Sequence, residues 1–85
     1  MKKGDKTPKQ DDPYLALIGK RLKELRIEKG YSNYENVAYD NGINRMVVYR
    51  AEKGTNLTLN TLLKFLRIYE VSPSEFFASV EKMEE

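Results

Sequence analysis

The segment Val37–Gly54, VAYDNGINRMVVYRAEKG, carries the strongest indication of the fold in this 85-residue chain. Ala38 is small, so a following helix can pack across it, and Gly42 permits the positive φ that a tight turn needs. Ile43 then fills the corner, and Val48, six residues after Gly42, faces inward from the second helix. This spacing predicts two short helices that cross at a steep angle.

Such a pair is typical of a helix-turn-helix, whose second helix enters the major groove of duplex DNA. We expect that helix over about residues 45–53, with Asn44 as its N-cap and Gly54 after its end. Either Val47 or Val48 faces the core, and the spacing selects Val48.

Three further segments carry helical patterns. An apolar stripe that includes Leu15 and Leu25 predicts a first helix, which ends at Gly30. Thr58 caps a fourth helix, and Ser72-Pro73-Ser74-Glu75 begins a fifth. The fourth is expected to present one broad apolar face, formed by Leu59, Leu62, Leu63, Leu66 and Ile68.

A capping box at Ser32-Asn33-Tyr34-Glu35 predicts the start of the second helix. With no strand pattern anywhere, we predict an all-α fold, a compact domain of five helices over residues 13–80. Residues 1–12 are rich in charge and lack apolar side chains after Met1, so we expect a disordered N-terminal arm. Residues 81–85 form an acidic C-terminal tail.

Composition excludes several classes of protein. The chain has no Cys and no His, which excludes a disulfide framework, zinc bound by Cys and His, and Ser-His-Asp catalysis. Catalysis would then depend on carboxylates, Lys or Tyr, and the acidic pairs Asp11-Asp12 and Glu84-Glu85 lie in the expected arm and in the tail, without the fixed geometry that acid–base chemistry needs. We therefore expect no enzyme, no metal and no cofactor. A mean hydropathy of −0.68, without a long apolar run, excludes a membrane span and favours the cytoplasm.

The net charge of +2 is distributed unevenly along the chain. Residues 1–54 contain twelve Lys and Arg against eight Asp and Glu, whereas residues 55–85 contain three against five. This split favours an anion-facing first half, although two ordinary solvated surfaces explain it equally well.

The chain resembles the phage Cro and repressor-like (XRE-type) helix-turn-helix family over roughly residues 15–77. The matching segments are Ile18-Gly19-Lys20-Arg21-Leu22-Lys23-Glu24-Leu25-Arg26, Ala38…Gly42-Ile43…Val48, Glu52-Lys53-Gly54, Thr61-Leu62-Leu63 and Val71-Ser72…Glu75-Phe76-Phe77. The resemblance implies a repressor-like transcriptional regulator that binds specific double-stranded DNA, at the nucleoid. Because one short recognition helix reads few bases, we expect the chain to bind as a homodimer.

The chain departs from the family pattern at several positions. One extra residue lies between Ser32 and Ala38, and Asn41 and Ala51 stand where larger apolar residues are usual. The proline common after the third helix is absent. These departures affect the start of the second helix and the packing under Ala51 rather than the fold.

The resemblance places Arg45, Met46, Tyr49 and Arg50 at the base edges. An arginine donates two hydrogen bonds to the O6 and N7 atoms of guanine, and Met46 and Tyr49 would contact a thymine methyl group or stack on sugars. For each arginine, the alternative is a solvated charge or a phosphate contact.

Phosphate contacts are expected to frame that helix. The start of the second helix favours an anion because its free amides and its dipole point outward. Capping alone also explains Ser32 and Asn44, and an ordinary loop explains Lys53 and Asn56. The candidate residues are Ser32, Asn33, Asn44, Lys53, Thr55 and Asn56.

The resemblance also implies a structural ion pair between Arg26 and Glu52, which are otherwise two unrelated surface residues. For the adjacent Phe76 and Phe77, either one ring packs inside and the other forms part of a dimer surface, or both pack inside. The alternative function is an antitoxin or small adaptor whose main partner is a protein, bound through the basic arm and the acidic tail.

Overall fold

The computed structural model describes residues 12–84. They form five helices, α1 (Tyr14–Glu28), α2 (Tyr34–Asn41), α3 (Arg45–Glu52), α4 (Leu59–Tyr69) and α5 (Pro73–Met83). The predicted all-α, five-helix fold is thus confirmed, and residues 12–84 contain no strand. The predicted arm lies outside the described residues except for Asp12. Because α5 continues to Met83, residues 81–83 of the predicted tail are helical.

The turn between α2 and α3 has the geometry that its sequence predicts. Gly42 adopts φ 65°, in the left-handed region where glycine carries no steric penalty. The amide of Ile43 donates to the carbonyl of Ala38 at 3.0 Å, which closes the end of α2. Asn44 then caps α3 by accepting a hydrogen bond from the amide of Met46 at 2.7 Å.

The predicted capping box at Ser32 and Glu35 is wrong, because the N-cap of α2 lies one residue later than predicted. Asn33 is the N-cap of α2, and its side chain accepts from the amide of Asn36 at 2.9 Å. Asn and Ser cap helices equally well, so local chemistry does not choose between them. Tertiary packing favours Asn33 as the N-cap, because a helix that begins at Tyr34 places the ring of Tyr34 against α1 and α3.

The core lies where the five helices meet. Val48 is fully buried and Val47 is exposed, which settles which of the two faces inward. The buried apolar residues are Ile18, Leu22, Leu25, Val37, Ala38, Val48, Ala51, Leu62, Phe65, Leu66, Tyr69, Phe76 and Val80. Within residues 12–84, no helix is both long and apolar enough to cross a lipid bilayer.

The predicted apolar face of α4 is partly wrong. Leu59 is 73% exposed and Leu63 is also exposed, while Phe65 and Tyr69 lie in the core. At 100° per residue, the buried positions of α4 centre on the side of Phe65 and Leu66, and Leu59 and Leu63 fall to one side of it. A prediction based on the positions of the leucines therefore shifted the buried face of α4 toward Leu59 and Leu63 and away from Phe65.

Gly19 allows the backbones of α1 and α3 to touch. A Cβ atom at this position would lie 2.7 Å from the carbonyl oxygen of Glu52 and 2.8 Å from that of Ala51. No side chain fits there without moving the backbone. The small Ala51, which departs from the family pattern, is buried at this close approach of the two helices.

Glu70 has a strained backbone that glycine would relieve and alanine would not. It ends α4 at φ 60°, a left-handed conformation that costs an L-residue about 1 kcal/mol. Its exposed carboxylate pairs with Lys29 Nζ at 3.1 Å, and such pairs contribute about 0.2–1 kcal/mol. We expect Glu70→Gly to be more stable than Glu70→Ala by about 1 kcal/mol in urea unfolding. Equal stability of the two variants would disprove backbone strain at this residue.

Candidate nucleic-acid interface

The outer face of α3 carries the four side chains that were predicted to read bases. Because Val48 and Ala51 point into the core, Arg45, Met46 and Arg50 are exposed and Tyr49 is half-buried. On its opposite face, α3 packs against α1 and α2. The four side chains can therefore meet a ligand without any rearrangement of the core.

The structure divides these four residues into two groups. Arg45, Met46 and Tyr49 line one depression together with Tyr34 of α2, which we call the α2–α3 depression. Arg50 lies on the neighbouring side of α3. It lines a second depression, whose other members are Val47, Ala51, Thr55, Asn56, Leu57, Thr58 and Thr61.

Two residues that the sequence did not mark as functional belong to the first group. Glu35, which is not part of a capping box, accepts a hydrogen bond from Arg45 Nη1 at 2.7 Å. The ring of Tyr34 meets that of Tyr49 edge to face, with centroids 5.4 Å apart. Neither contact has a sequence signal, because each joins α2 to α3 across the turn.

Cations flank the two tyrosines. The Arg26 guanidinium lies 5.2 Å from the centroid of the Tyr34 ring, and Lys53 Nζ lies 5.3 Å from that of Tyr49. Both separations suit a cation–π contact. A continuous row of four side chains therefore connects the interior of the domain to the exposed face of α3.

The residues predicted to contact phosphates lie on both sides of α3. Ser32 and Asn33 precede α2, and Asn44, exposed at the start of α3, keeps its side-chain oxygen on the amide of Met46. Lys53 and Asn56 are exposed after α3. Thr55 is also exposed, and its hydroxyl donates to the carbonyl of Arg50 at 2.7 Å, which caps the end of α3.

Arg26 and Glu52 form a buried, two-point contact between α1 and α3. Arg26 Nε donates to Glu52 Oε2 at 2.7 Å, and Nη2 donates to Oε1 at 3.1 Å. Only 4% of each side chain is exposed. Arg26 Nη1 also donates to the carbonyl of Tyr31 at 3.0 Å, so each guanidinium nitrogen has a partner. The hydrogen bonds to Glu52 raise the pKa of Arg26 above its ordinary value.

Tyr69 lies close to this pair, and its buried hydroxyl has no hydrogen-bond partner among residues 12–84. Burial raises the pKa of Tyr69 well above 10, and the negative charge of Glu52 raises it further. The hydroxyl is therefore neutral in the folded protein throughout the physiological range. No pattern in the sequence distinguishes this tyrosine from Tyr39, which is 88% exposed.

We expect Tyr69→Phe to leave stability unchanged or to raise it by up to about 1 kcal/mol, since it removes an unpaired buried hydroxyl. Above pH 10, the unfolded chain releases the Tyr69 proton before the folded chain does, so the wild type loses stability as pH rises. The phenylalanine variant lacks this contribution. Urea unfolding at pH 8 and pH 11 should therefore show a smaller alkaline loss for Tyr69→Phe, and an equal loss would contradict the assignment.

The prediction of a dimer surface that includes Phe76 needs correction. Phe76 is fully buried and its ring packs edge to face on that of Phe77, with centroids 5.2 Å apart. Adjacent helical residues point about 100° apart, so only one of the two rings enters the core. Phe77 is half-buried and retains an accessible part of its ring.

Solved structures with the same fold include two restriction-modification controller proteins. Wild-type C.Esp1396I is 29% identical, over 85% of this chain and 94% of that one, with a TM-score of 0.72. C.AhdI from Aeromonas hydrophila is 36% identical, over 73% of this chain and 94% of that one, with a TM-score of 0.63. The C.Esp1396I tetramer has also been solved in complex with its natural 35-base-pair operator. The protein chain in that complex is 29% identical in sequence, over 85% of this chain and 95% of that one, with a TM-score of 0.73.

A comparison with curated protein sequences gives no significant match. A sequence model of the Cro/C1-type HTH DNA-binding domain matches residues 21–82, which include every residue of α2, α3 and α4. That family is a DNA-binding one and not a class of enzymes. The chain belongs to the Cro/C1-type helix-turn-helix family of DNA-binding domains.

Proposed function

We propose that the protein is a repressor-like transcriptional regulator that reads specific duplex DNA sites with α3 in the major groove. The observation that carries the proposal is the row of exposed side chains on α3, Arg45, Met46 and Arg50 with Tyr49 beside them. The buried Arg26–Glu52 pair holds α3 against α1, so this face is presented in one orientation. The likeness to C.Esp1396I, a restriction-modification controller protein solved on its natural operator, supports the binding of specific DNA.

We infer that it binds as a two-fold dimer, because α3 has eight residues and reads few base pairs. Half-sites would then lie about 34 Å apart, one turn of the DNA. The C.Esp1396I tetramer bound to its natural operator supports assembly of several copies on DNA. Phe77 is the member of the predicted dimer surface that retains accessible area.

Within this proposal, Ser32, Asn33, Asn44, Lys53, Thr55 and Asn56 contact phosphates on either side of α3. Such contacts orient the protein on the duplex, and base contacts supply its specificity. The regulator would act in the cytoplasm, at the nucleoid, by occluding or recruiting polymerase. It would need no cofactor and would catalyse no reaction.

Selection from random duplexes tests the proposal. We expect an enriched inverted repeat, two copies of the chain per site in analytical ultracentrifugation, and binding that weakens as salt concentration rises. The absence of an enriched sequence, or a salt slope near zero, would reject it. In that case a protein would be the main partner, as in an antitoxin or adaptor, and affinity capture from the native host would find it.

A further inference from the structure

We propose that Asn41 is a site of spontaneous deamidation, and that the isoaspartate formed there changes the position of α3 relative to α2. The reaction depends on the Asn41-Gly42 sequence and on its place in the fold, whereas its effect on DNA binding rests on the proposed function. Asn41 stands where the family usually has an apolar residue. The site is therefore a property of this chain rather than of the family.

The reaction consumes water and needs no other reactant. The backbone nitrogen of Gly42 loses its proton to hydroxide and attacks Cγ of Asn41. A C–N bond forms, the Cγ–Nδ2 bond breaks, and Nδ2 takes a proton from water and leaves as ammonia. Water then opens the resulting succinimide ring at either carbonyl carbon, which gives aspartate or isoaspartate. Nothing is oxidised or reduced.

Gly42 makes Asn41 the most reactive asparagine of the chain. The attacking nitrogen belongs to a residue without a Cβ atom, so it can approach the preceding side chain closely. A larger residue follows each of the other asparagines and hinders the same attack. These are Asn33, Asn36, Asn44, Asn56 and Asn60, which precede Tyr, Val, Arg, Leu and Thr in that order.

The structure leaves the reacting groups accessible to water. Asn41 is the last residue of α2, and both Asn41 and Gly42 are exposed. A Cβ atom at Gly42 would meet no atom of residues 12–84 within 4 Å, other than those of its chain neighbours. The amide of Gly42 shares its hydrogen bond between the carbonyls of Ala38 and Tyr39, at a long 3.4 Å from the latter. The end of such a short helix opens at a small cost in free energy.

One hydrogen bond opposes the reaction in the folded protein. Asn41 Nδ2 donates to the carbonyl of Val37 at 2.9 Å, which holds the side chain back along α2. The attack requires that this bond break and that the backbone rotate at Asn41. The folded protein should therefore react more slowly than a peptide with the sequence of residues 37–46, which lacks both restraints.

Isoaspartate at position 41 would lengthen the turn between α2 and α3. The backbone would then run through Cβ and Cγ of this residue, which adds one carbon atom before Gly42. The present length of the turn is fixed at both ends, because the amide of Ile43 bonds to the carbonyl of Ala38 at 3.0 Å and Val48 is fully buried. The added atom must therefore displace α3, and with it the exposed face of that helix.

The test follows the full chain during incubation at neutral and at alkaline pH. Mass spectrometry of peptide fragments measures the conversion of each asparagine and distinguishes aspartate from isoaspartate. We expect Asn41 to react before any other asparagine, and faster at alkaline pH because the amide of Gly42 must lose its proton. Fluorescence anisotropy should show that affinity for the selected site is lost from the same fraction of molecules that contains isoaspartate.

Two variants attribute the loss to the altered backbone. Asn41→Gln is the matched control, because attack on its longer side chain would have to close a larger ring. It should keep its starting affinity and melting temperature through the same incubation. Asn41→Asp carries the other product on a backbone of normal length, so it should retain most of the affinity. Melting curves followed by circular dichroism check that both variants fold.

Three results would overturn the inference. They are an intact Asn41 while the peptide is converted, full affinity of molecules that contain isoaspartate, and an equal loss of affinity in Asn41→Asp. In each case the unmodified protein would still bind its selected site, so the proposed function would stand. If no site is selected at all, the proposed function fails, and the melting temperature of the isoaspartate fraction still tests the displacement of α3.

Discussion

Replacing Glu52 with alanine is expected to lower the free energy of unfolding by about 3–5 kcal/mol. The loss is large because Arg26, 3% exposed, would remain buried with its charge uncompensated. Two hydrogen bonds, at 2.7 and 3.1 Å, would disappear, and only the bond from Nη1 to the carbonyl of Tyr31 would remain. In a domain of this size such a change lowers the melting temperature by at least about 12 °C.

Circular dichroism at 222 nm, followed on heating, measures this effect. Glu24→Ala is the matched control, because Glu24 pairs with Arg21 at 2.9 Å on the surface, where such pairs contribute about 0.2–1 kcal/mol. The double variant Arg26→Met, Glu52→Leu should recover most of the loss, since it leaves no unpaired charge in the interior. A change below about 1 kcal/mol for Glu52→Ala would show that the pair does not stabilise the fold.

Arg45→Ala is expected to weaken binding to the selected site about 5- to 150-fold for each half-site, the equivalent of about 1–3 kcal/mol. Because a two-fold dimer contains two copies of Arg45, the loss of binding free energy for the whole site is twice that of one half-site. Binding to unrelated duplexes should change little, because it depends on phosphate contacts. Titration of both kinds of duplex at one salt concentration measures the two effects.

Two arginine substitutions separate base reading from charge. Arg45→Lys retains the positive charge but loses the planar fork, so it should lose most of the specificity. Arg67→Ala removes the same charge from the exposed side of α4, where it lines a shallow groove with Asn60, Leu63, Lys64 and Ile68. It should leave the ratio of specific to non-specific affinity unchanged. Equal losses for Arg45→Ala and Arg67→Ala would reject Arg45 as a base-reading residue.

Much of the fold could be predicted because it depends on residues close together in the chain. Gly42 ends α2 with a positive φ, and Thr58 and Ser72 cap α4 and α5 by bonds to amides three residues on. Val48 faces inward as its spacing from Gly42 predicts. Interactions within one turn of helix depend on local geometry, and therefore on sequence order alone.

The candidate site was predicted less completely. The exposed face of α3 follows from the position of Val48, so Arg45, Met46, Tyr49 and Arg50 could be identified in advance as its members. Their division into two groups could not, because one depression is completed by Tyr34 of α2 and the other by the segment after α3. Glu35 was assigned to a capping box, and only the α2–α3 packing brings it to Arg45.

Periodicity and neighbouring residues were enough to predict the number of helices, the N-caps of α3, α4 and α5, and the outward face of α3. Only the tertiary structure decided that Asn33 rather than Ser32 caps α2, that Gly19 lies against the backbone of α3, and that Phe76 is buried. In each of these cases several local arrangements have similar energies. Buried contacts between distant segments then select one arrangement, because their energies exceed the small differences in energy between the local alternatives.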